Sequence, residues 1–163
     1  MSEMTVRFSE GFLEIRQIYC CKKRFLDLLL LADEQESMID LYLDRGEMYA
    51  LYDRNILRAI CIVTDEGNRT VELKNIATDP QYQKQGYATR LIRFLSEYYA
   101  GDYDTLLVGT GESPLTIPFY KKNGFSYSHR IKNFFTDNYD HPIFEEGKQL
   151  VDMVYLRKDL LHT

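Results

Sequence analysis

Tryptophan is absent from this 163-residue chain, cysteine occurs three times, proline four times, and Lys plus Arg (20) fall short of Asp plus Glu (25). Each shortage excludes something. Cys20, Cys21 and Cys61 make an odd count whose first two members are chain neighbours, an arrangement that ordinarily neither bridges itself nor seeds a Cys-x2-Cys metal site. All three read as reduced, partly buried thiols, and a reducing cytoplasm is the expected compartment. The formal charge of -5 has the wrong sign for a protein that relies on phosphate attraction along a duplex, so nucleic acid is not an expected partner. The opening MSEMTVRFSE carries acids and lacks the basic start and apolar centre of an export signal. The longest apolar stretch, Leu28 to Ala32, is too short to cross a bilayer, so no membrane partner is expected either. His129, His141 and His162 show no ligand spacing, and no metal is expected.

What is present is an ordinary globular balance, 45% hydrophobic and 28% charged, on a length that suits one domain spanning 1–163. Thirteen Tyr and nine Phe supply aromatic area for a core or a pocket. After a short strand near Leu13 to Ile18, residues Phe25, Leu28, Leu29, Met38, Leu41 and Tyr42 recur at spacings of three and four, which predicts two short helices broken near Ala32 and Asp33. EMYALYD and ILRAICIVT, separated by Asp53-Arg54-Asn55, read as a hairpin. A turn at Asp65 to Asn68 leads to a third antiparallel strand, in which Val71, Leu73, Asn75 and Ala77 alternate against Glu72, Lys74 and Ile76. Asp79-Pro80 stops that strand, and apolar positions 88, 91, 92, 95, 98 and 99 then mark a helix. TLLVGT reads as a strand parallel to the one before the helix, because a crossover joins them. Ser113 and Pro114 resemble a helix start, and Pro118 either kinks that helix or begins it. Phe125 to Ile131 and LVDMVYL complete the strands, giving an α/β (α+β) fold with a mixed, mostly antiparallel sheet of six to seven strands and about four helices.

The stretch ATDPQYQKQGYATRLI joins a strand to a helix through a polar loop with one glycine. Unpaired N-H groups at a helix start, the helix dipole and a close backbone approach at Gly86 together make an anion cradle over Lys84 to Thr89; the plainer reading is an ordinary strand-to-helix loop. Hydrogen bonds to charged groups contribute about 1.5 to 3 kcal/mol each, so an acidic protein can still hold a pyrophosphate this way. Neither a Walker loop nor a Rossmann loop fits, since Gly86 is followed by Tyr87 and Ala88 and three antiparallel strands come first.

The pattern Gln83, Gly86, Ala88 between a strand and a helix resembles the signature of the GNAT superfamily of acetyl-CoA-dependent N-acetyltransferases. A second element, Phe119-Tyr120-Lys121-Lys122-Asn123-Gly124-Phe125, matches the family's Phe-Tyr to Gly-Phe segment, about 35 residues downstream. The element order matches from about Glu47 to Ile131. The resemblance implies a single such domain whose central strands splay, with the pantetheine arm of acetyl-CoA in the gap. Ile76, Ala77 and Thr78 would then face the arm and the acetyl carbonyl, and Gln83, Lys84, Gln85, Gly86, Tyr87, Ala88 and Thr89 the pyrophosphate. Ser113 stands where many relatives carry a cofactor-contacting Asn.

The resemblance also implies that Tyr120 protonates the departing CoA thiolate, a transfer suited to a phenol near pKa 10 and a thiol near 8.5. Glu72 on the central strand is the candidate general base, with Glu112 as a second. The connection Lys132 to Lys148 carries Phe134, Phe135, Tyr139 and Phe144 among Asp137, Asp140, Glu145 and Glu146. It reads either as a cover over a cationic, partly apolar amine or as a surface excursion pinned by its aromatics. The implied reaction is direct acetyl transfer in a ternary complex to a primary amine of a small molecule or a peptide. The rival is a non-catalytic acyl-CoA-binding sensor of the same fold. Pairing is frequent in such families, which makes a homodimer the default expectation.

Overall fold

The structure, a computed structural model, describes residues 3–161, so the ends of the expected 1–163 domain, and His162, lie outside the described residues. The strands are β1 (Met4–Glu10), β2 (Leu13–Ile18), β3 (Glu47–Asp53), β4 (Ile56–Gly67), β5 (Thr70–Thr78), β6 (Thr105–Gly111), β7 (Ser126–Ile131), β8 (Phe144–Glu145), β9 (Lys148–Gln149) and β10 (Met153–Asp159). Eight of them form one sheet in the order β1-β2-β3-β4-β5-β6-β10-β7, antiparallel except at β5-β6, while β8 and β9 make a separate ribbon. The sheet therefore carries more strands than the six to seven expected. The addition is β1, an edge strand with only partial burial and the polar sequence MTVRFSE, which leaves little alternation to read.

Two-residue turns with positive φ at both central positions join β3 to β4 (Arg54, Asn55) and β4 to β5 (Asn68, Arg69), matching the right-handed twist of the strands they connect. Helices α1 (Leu26–Ala32), α2 (Glu36–Asp40), α3 (Tyr87–Tyr99), α4 (Thr116–Lys122) and α5 (Phe134–Asn138) complete the fold. The break between α1 and α2 falls where Ala32 and Asp33 placed it. Because α2 stops at Asp40, Leu41 leaves the helical stripe and is 68% exposed.

Both faces of the central strands are buried. On β3 and β4, Tyr49, Leu51, Cys61 and Val63 pack beneath Leu91, Ile92 and Leu95 of α3, while Met48, Ala50, Ile60 and Ile62 pack against Phe25, Leu29 and Ile39 of the α1–α2 side. This double burial explains the continuous apolar texture of ILRAICIVT. Cys61 is buried at the centre of β4, but Cys20 and Cys21 are exposed after β2, correcting the expectation of partial burial for that pair.

The alternation expected along β5 does not hold throughout. Val71 and Leu73 join the α3-side core, whereas Ala77 joins the α1–α2 side and Asn75 reaches it too, donating from Nδ2 to the Leu29 carbonyl (3.0 Å) and the Tyr42 hydroxyl (3.1 Å). Val63 pairs with Leu73 and Ile62 with Asn75, so Lys74 is an extra residue, and this β-bulge moves the rest of the strand to the opposite facing. The parallel pairing of β5 with β6 covers Thr70–Leu73 and Thr105–Val108 and ends at the same point. Beyond it β5 follows β4 and β6 follows β10, and a gap opens between them.

Asn75 thus ties the bulge to α1. We expect Asn75→Ala, which leaves the Leu29 carbonyl without that donor, to lower the stability by about 1 to 3 kcal/mol; urea unfolding with an unchanged m-value checks this.

Candidate active site

The gap is the mouth of a cavity of about 310 Å³. One wall is β5 from Leu73 to Thr78, the other is β6 from Val108 to Gly111, and both present strand edges released from pairing with each other. Ile76, Ala77, Thr78 and Gln83 line it, as does Tyr120. The main-chain polar groups along these two edges are suited to hydrogen bonding with an extended amide-bearing ligand.

At the end of β5, Asp79 accepts from the Gln81 amide at 2.9 Å and Pro80 opens a single 3-10 turn, so the chain bends sharply into the loop. Lys84 (φ 63) and Gly86 (φ 87) both take left-handed conformations, and the helix starts directly after Gly86. The first bond of α3 runs from the Arg90 amide to the Gly86 carbonyl at 3.0 Å, so the amides ahead of it have no intrahelical acceptor. Lys84, Gln85 and Gly86 are exposed, Ala88 and Thr89 half-buried. Nothing stands within 4 Å of where a Cβ on Gly86 would lie, which leaves the backbone open on its outer side. Tyr87 serves differently: its ring is buried and its hydroxyl donates to Asp53 Oδ2 at 2.7 Å, anchoring the loop to the β3–β4 hairpin. Arg58 lies 4.0 Å from the Tyr82 ring centroid and 5.7 Å from that of Tyr87, packing the same loop from beneath.

Helix α4 starts at Thr116, so Pro118 falls in the first turn, where its missing N-H removes no helical bond, and no kink is needed. Ser113 is 3% exposed, and its hydroxyl accepts from the Leu115 (3.2 Å) and Thr116 (3.4 Å) amides. It shapes the entry to α4 and is not among the residues lining the cavity. Thr110 and Thr116 share a hydroxyl contact of 2.8 Å that fixes α4 to β6. Tyr120 follows one turn later, edge-on to Phe119 and Phe125. Burial, and secondarily the charge of Glu145, push its phenol above the usual range.

Neither expected base lines the cavity. The Glu72 carboxylate is buried behind the bulge, 2.9 Å from Lys74 Nζ, and burial raises its pKa against the lowering effect of that lysine. It reaches the cavity only through Lys74, which is itself on the wall. Glu112 pairs with Arg130 at 3.0 Å on the surface, and that guanidinium holds its carboxyl below the usual range.

The carboxylates on the wall are Asp33, Glu34 and Glu145. Asp33, at the break after α1, accepts from Tyr42 (3.0 Å) and Tyr139 (2.7 Å), with burial raising its pKa against both hydrogen bonds. That second bond brings the late connection across the cavity. The connection is not structureless: it contains α5 and the β8–β9 ribbon, turned by Glu146 and Gly147 with positive φ. Phe135, Ile143 and Leu150 form a small core beneath it, with Phe134, Tyr139 and Met153 packed around. Phe135, Tyr139 and Glu145 face the cavity, whereas Asp137, Glu146 and Phe144 (55% exposed) face solvent. The signal for Glu145 lay in the mixed aromatic and acidic texture of the segment. Asp33 offered only a helix break. Of the histidines, His129 stacks on Tyr155 at 4.7 Å, and His141 lies beside Asp140 and 3.8 Å from Glu34.

A groove that releases two strand edges onto a donor-rich helix start has known counterparts. The family described as acetyltransferase (GNAT) domain matches residues 44–127. The N-acetyltransferase YvbK of Bacillus subtilis (strain 168), described as uncharacterized, is 38% identical over 136 residues, which are 82% of this chain and 88% of that protein. A GNAT family acetyltransferase from Elizabethkingia anophelis, solved with acetyl-CoA bound, is 33% identical with a TM-score of 0.84, covering 93% of this chain and 100% of that one. A Bacillus subtilis acetyltransferase in complex with CoA is 36% identical with a TM-score of 0.84, covering 91% and 99%. With the family model, the curated relative and the solved structures in agreement, the chain belongs to the GNAT family of N-acetyltransferases.

Proposed function

We propose that this enzyme moves the acetyl group of acetyl-CoA directly to a primary amine while both are bound, in a reducing cytoplasm. The observation that carries the reading is the gap between β5 and β6, which has Gln83, at the start of the loop leading into α3, and the Tyr120 side chain on its lining. The pyrophosphate takes the free amides of the cradle, and the pantetheine arm adds an extended strand-like segment between the released edges. Arg93, Lys122 and Lys158 line a second cavity of about 690 Å³ that begins at Thr89, and they offer positive charge to the phosphorylated nucleotide end. Cofactor binding is therefore assigned to Ile76, Ala77, Thr78 and Gln83 through Thr89, with Tyr120 at the sulfur.

In the reaction an amine nitrogen attacks the thioester carbonyl. A main-chain N-H near Ile76 or Ala77 stabilises the oxyanion, and the C-S bond breaks as Tyr120 protonates the thiolate. Burial that raises the phenol pKa acts on a thiolate in the same gap as well, so the two remain matched when they touch. Glu72 holds Lys74 in place and acts from behind the wall.

Gly86→Glu sets a negative side chain where the phosphates belong, at a backbone conformation that costs a non-glycine residue about 1 to 2 kcal/mol. The variant is expected to fold and to lose acetyl-CoA binding by calorimetry; unchanged affinity would remove the cradle. Tyr120→Phe is expected to keep cofactor affinity and to lower turnover about 100-fold, read as free thiol released over a panel of primary amines. Full turnover would pass the proton to another group, and binding without any thiol release by the unaltered protein would favour an acyl-CoA sensor.

A further inference from the structure

Among the carboxylates around the cavity, each but one has its partner. Asp33 is engaged by two tyrosine hydroxyls, Glu34 by His141, Glu72 by Lys74 and Glu112 by Arg130. Glu145 lines the cavity, and its Oε2 atom is shut off from solvent with no hydrogen-bond partner. A buried carboxylate oxygen left without a hydrogen-bond donor is costly unless one arrives.

We propose that Glu145 receives the proton of the acceptor ammonium, and that the acceptor is a cationic amine seated between Glu145 and the Asp33–Tyr139 side of the cavity; this rests on the acetyl-transfer reading above. The position of Glu145 is well defined. It stands on β8, whose ribbon closes through Glu146 (φ 50) and Gly147 (φ 74), and the Leu150 amide donates to the Ile143 carbonyl at 2.8 Å to shut the base of the ribbon. Leu150 then seats on the end of β6 so closely that a Cβ on Gly111 would lie 2.5 Å from its side chain. The ribbon is thus packed against the end of β6, and Glu145 lies near enough to Tyr120 for its phenol to feel the charge. The one basic group on the wall, Lys74, is neutralised by Glu72, so the acceptor side keeps an excess of negative charge.

The protons balance as follows. The ammonium R-NH3+ gives one proton to the Glu145 carboxylate and becomes R-NH2. Its lone pair forms the C-N bond to the thioester carbonyl, the oxyanion collapses, and the C-S bond breaks with its electron pair on sulfur. Tyr120 protonates the thiolate, and the resulting phenolate takes the second proton from the acylated nitrogen. Glu145 returns its proton to solvent, leaving the amide, CoA thiol and one proton released.

The test uses the full chain with benzylamine, an ammonium whose ring suits Phe135 and Tyr139, and follows thiol release from acetyl-CoA against pH. Glu145→Gln is expected to keep its acetyl-CoA affinity by calorimetry and to lose about 100-fold in kcat/KM at neutral pH. The deficit should narrow by about tenfold per pH unit as solution supplies the neutral amine. Parent-like kcat/KM with an unchanged profile, or a loss equal at every pH, overturns the proposal. Should the Gln variant lose the cofactor, Glu145→Asp decides on the same profile: a pH-dependent deficit supports the assignment and a uniform one overturns it. A parent protein that binds acetyl-CoA yet releases no thiol with benzylamine or other primary amines removes the acetyl-transfer reading, and this inference falls with it.

Discussion

The groove depends on one surplus residue. Lys74 adds a unit to β5 that β4 does not match, and three consequences follow from that single mismatch. The side chains beyond it exchange faces, so Asn75 turns towards α1 and grips the Leu29 carbonyl. The strand bends with the increased local twist of a bulge, and its pairing with β6 ends at Leu73. The released edges of both strands then face each other across a space that an ordinary ladder would have filled. A sheet normally satisfies every buried amide and carbonyl internally, and here the two released edges leave theirs facing the gap.

Much of this was legible from residue order. The three-strand meander, the break at Asp33, the crossover through α3 and the proline-stopped loop all follow from short-range patterns that the structure keeps. The bulge was not legible, because VELKNIAT alternates cleanly on paper and the extra residue exists only relative to the partner strand. β1 went unseen because an edge strand buries too little to impose a period. The hydroxyl of Ser113 was not legible as a cap of its own turn, because a capping hydroxyl has the same sequence signature as one offered to a ligand. The placements of Glu72 and Glu112 also turn on partners far or differently placed in sequence, since Lys74 sits beside one and Arg130 across β10 from the other.

Net charge proved a poor guide to local chemistry. A chain of charge -5 still presents a donor-rich helix start, because the amides ahead of Arg90 have no intrahelical acceptor and supply positive potential without basic side chains. The acidic residues are concentrated elsewhere around the groove, where Asp33, Glu34 and Glu145 line the cavity. The backbone dipoles at the start of α3 and the acidic side chains at the cavity thus occupy separate places and interfere little, since a helix-end field decays within a turn or so.

That division bears on how two substrates of opposite charge can meet. On the proposed reading, a polyanion held at Lys84 to Thr89 would place its uncharged arm, not its phosphates, between β5 and β6. A cation approaching from the Asp33 and Tyr139 side would then meet carboxylates first and the neutral thioester last. The late connection makes this order structural: Tyr139 fastens it to the far wall at Asp33, while Leu150 fastens it to the end of β6. Between those two points lies Glu145, a carboxylate with an unpartnered buried oxygen, carried by a segment fastened on both sides. A cover built this way is part of the site's wall, which explains why its small core of Phe135, Ile143 and Leu150 is separate from the two cores of the sheet.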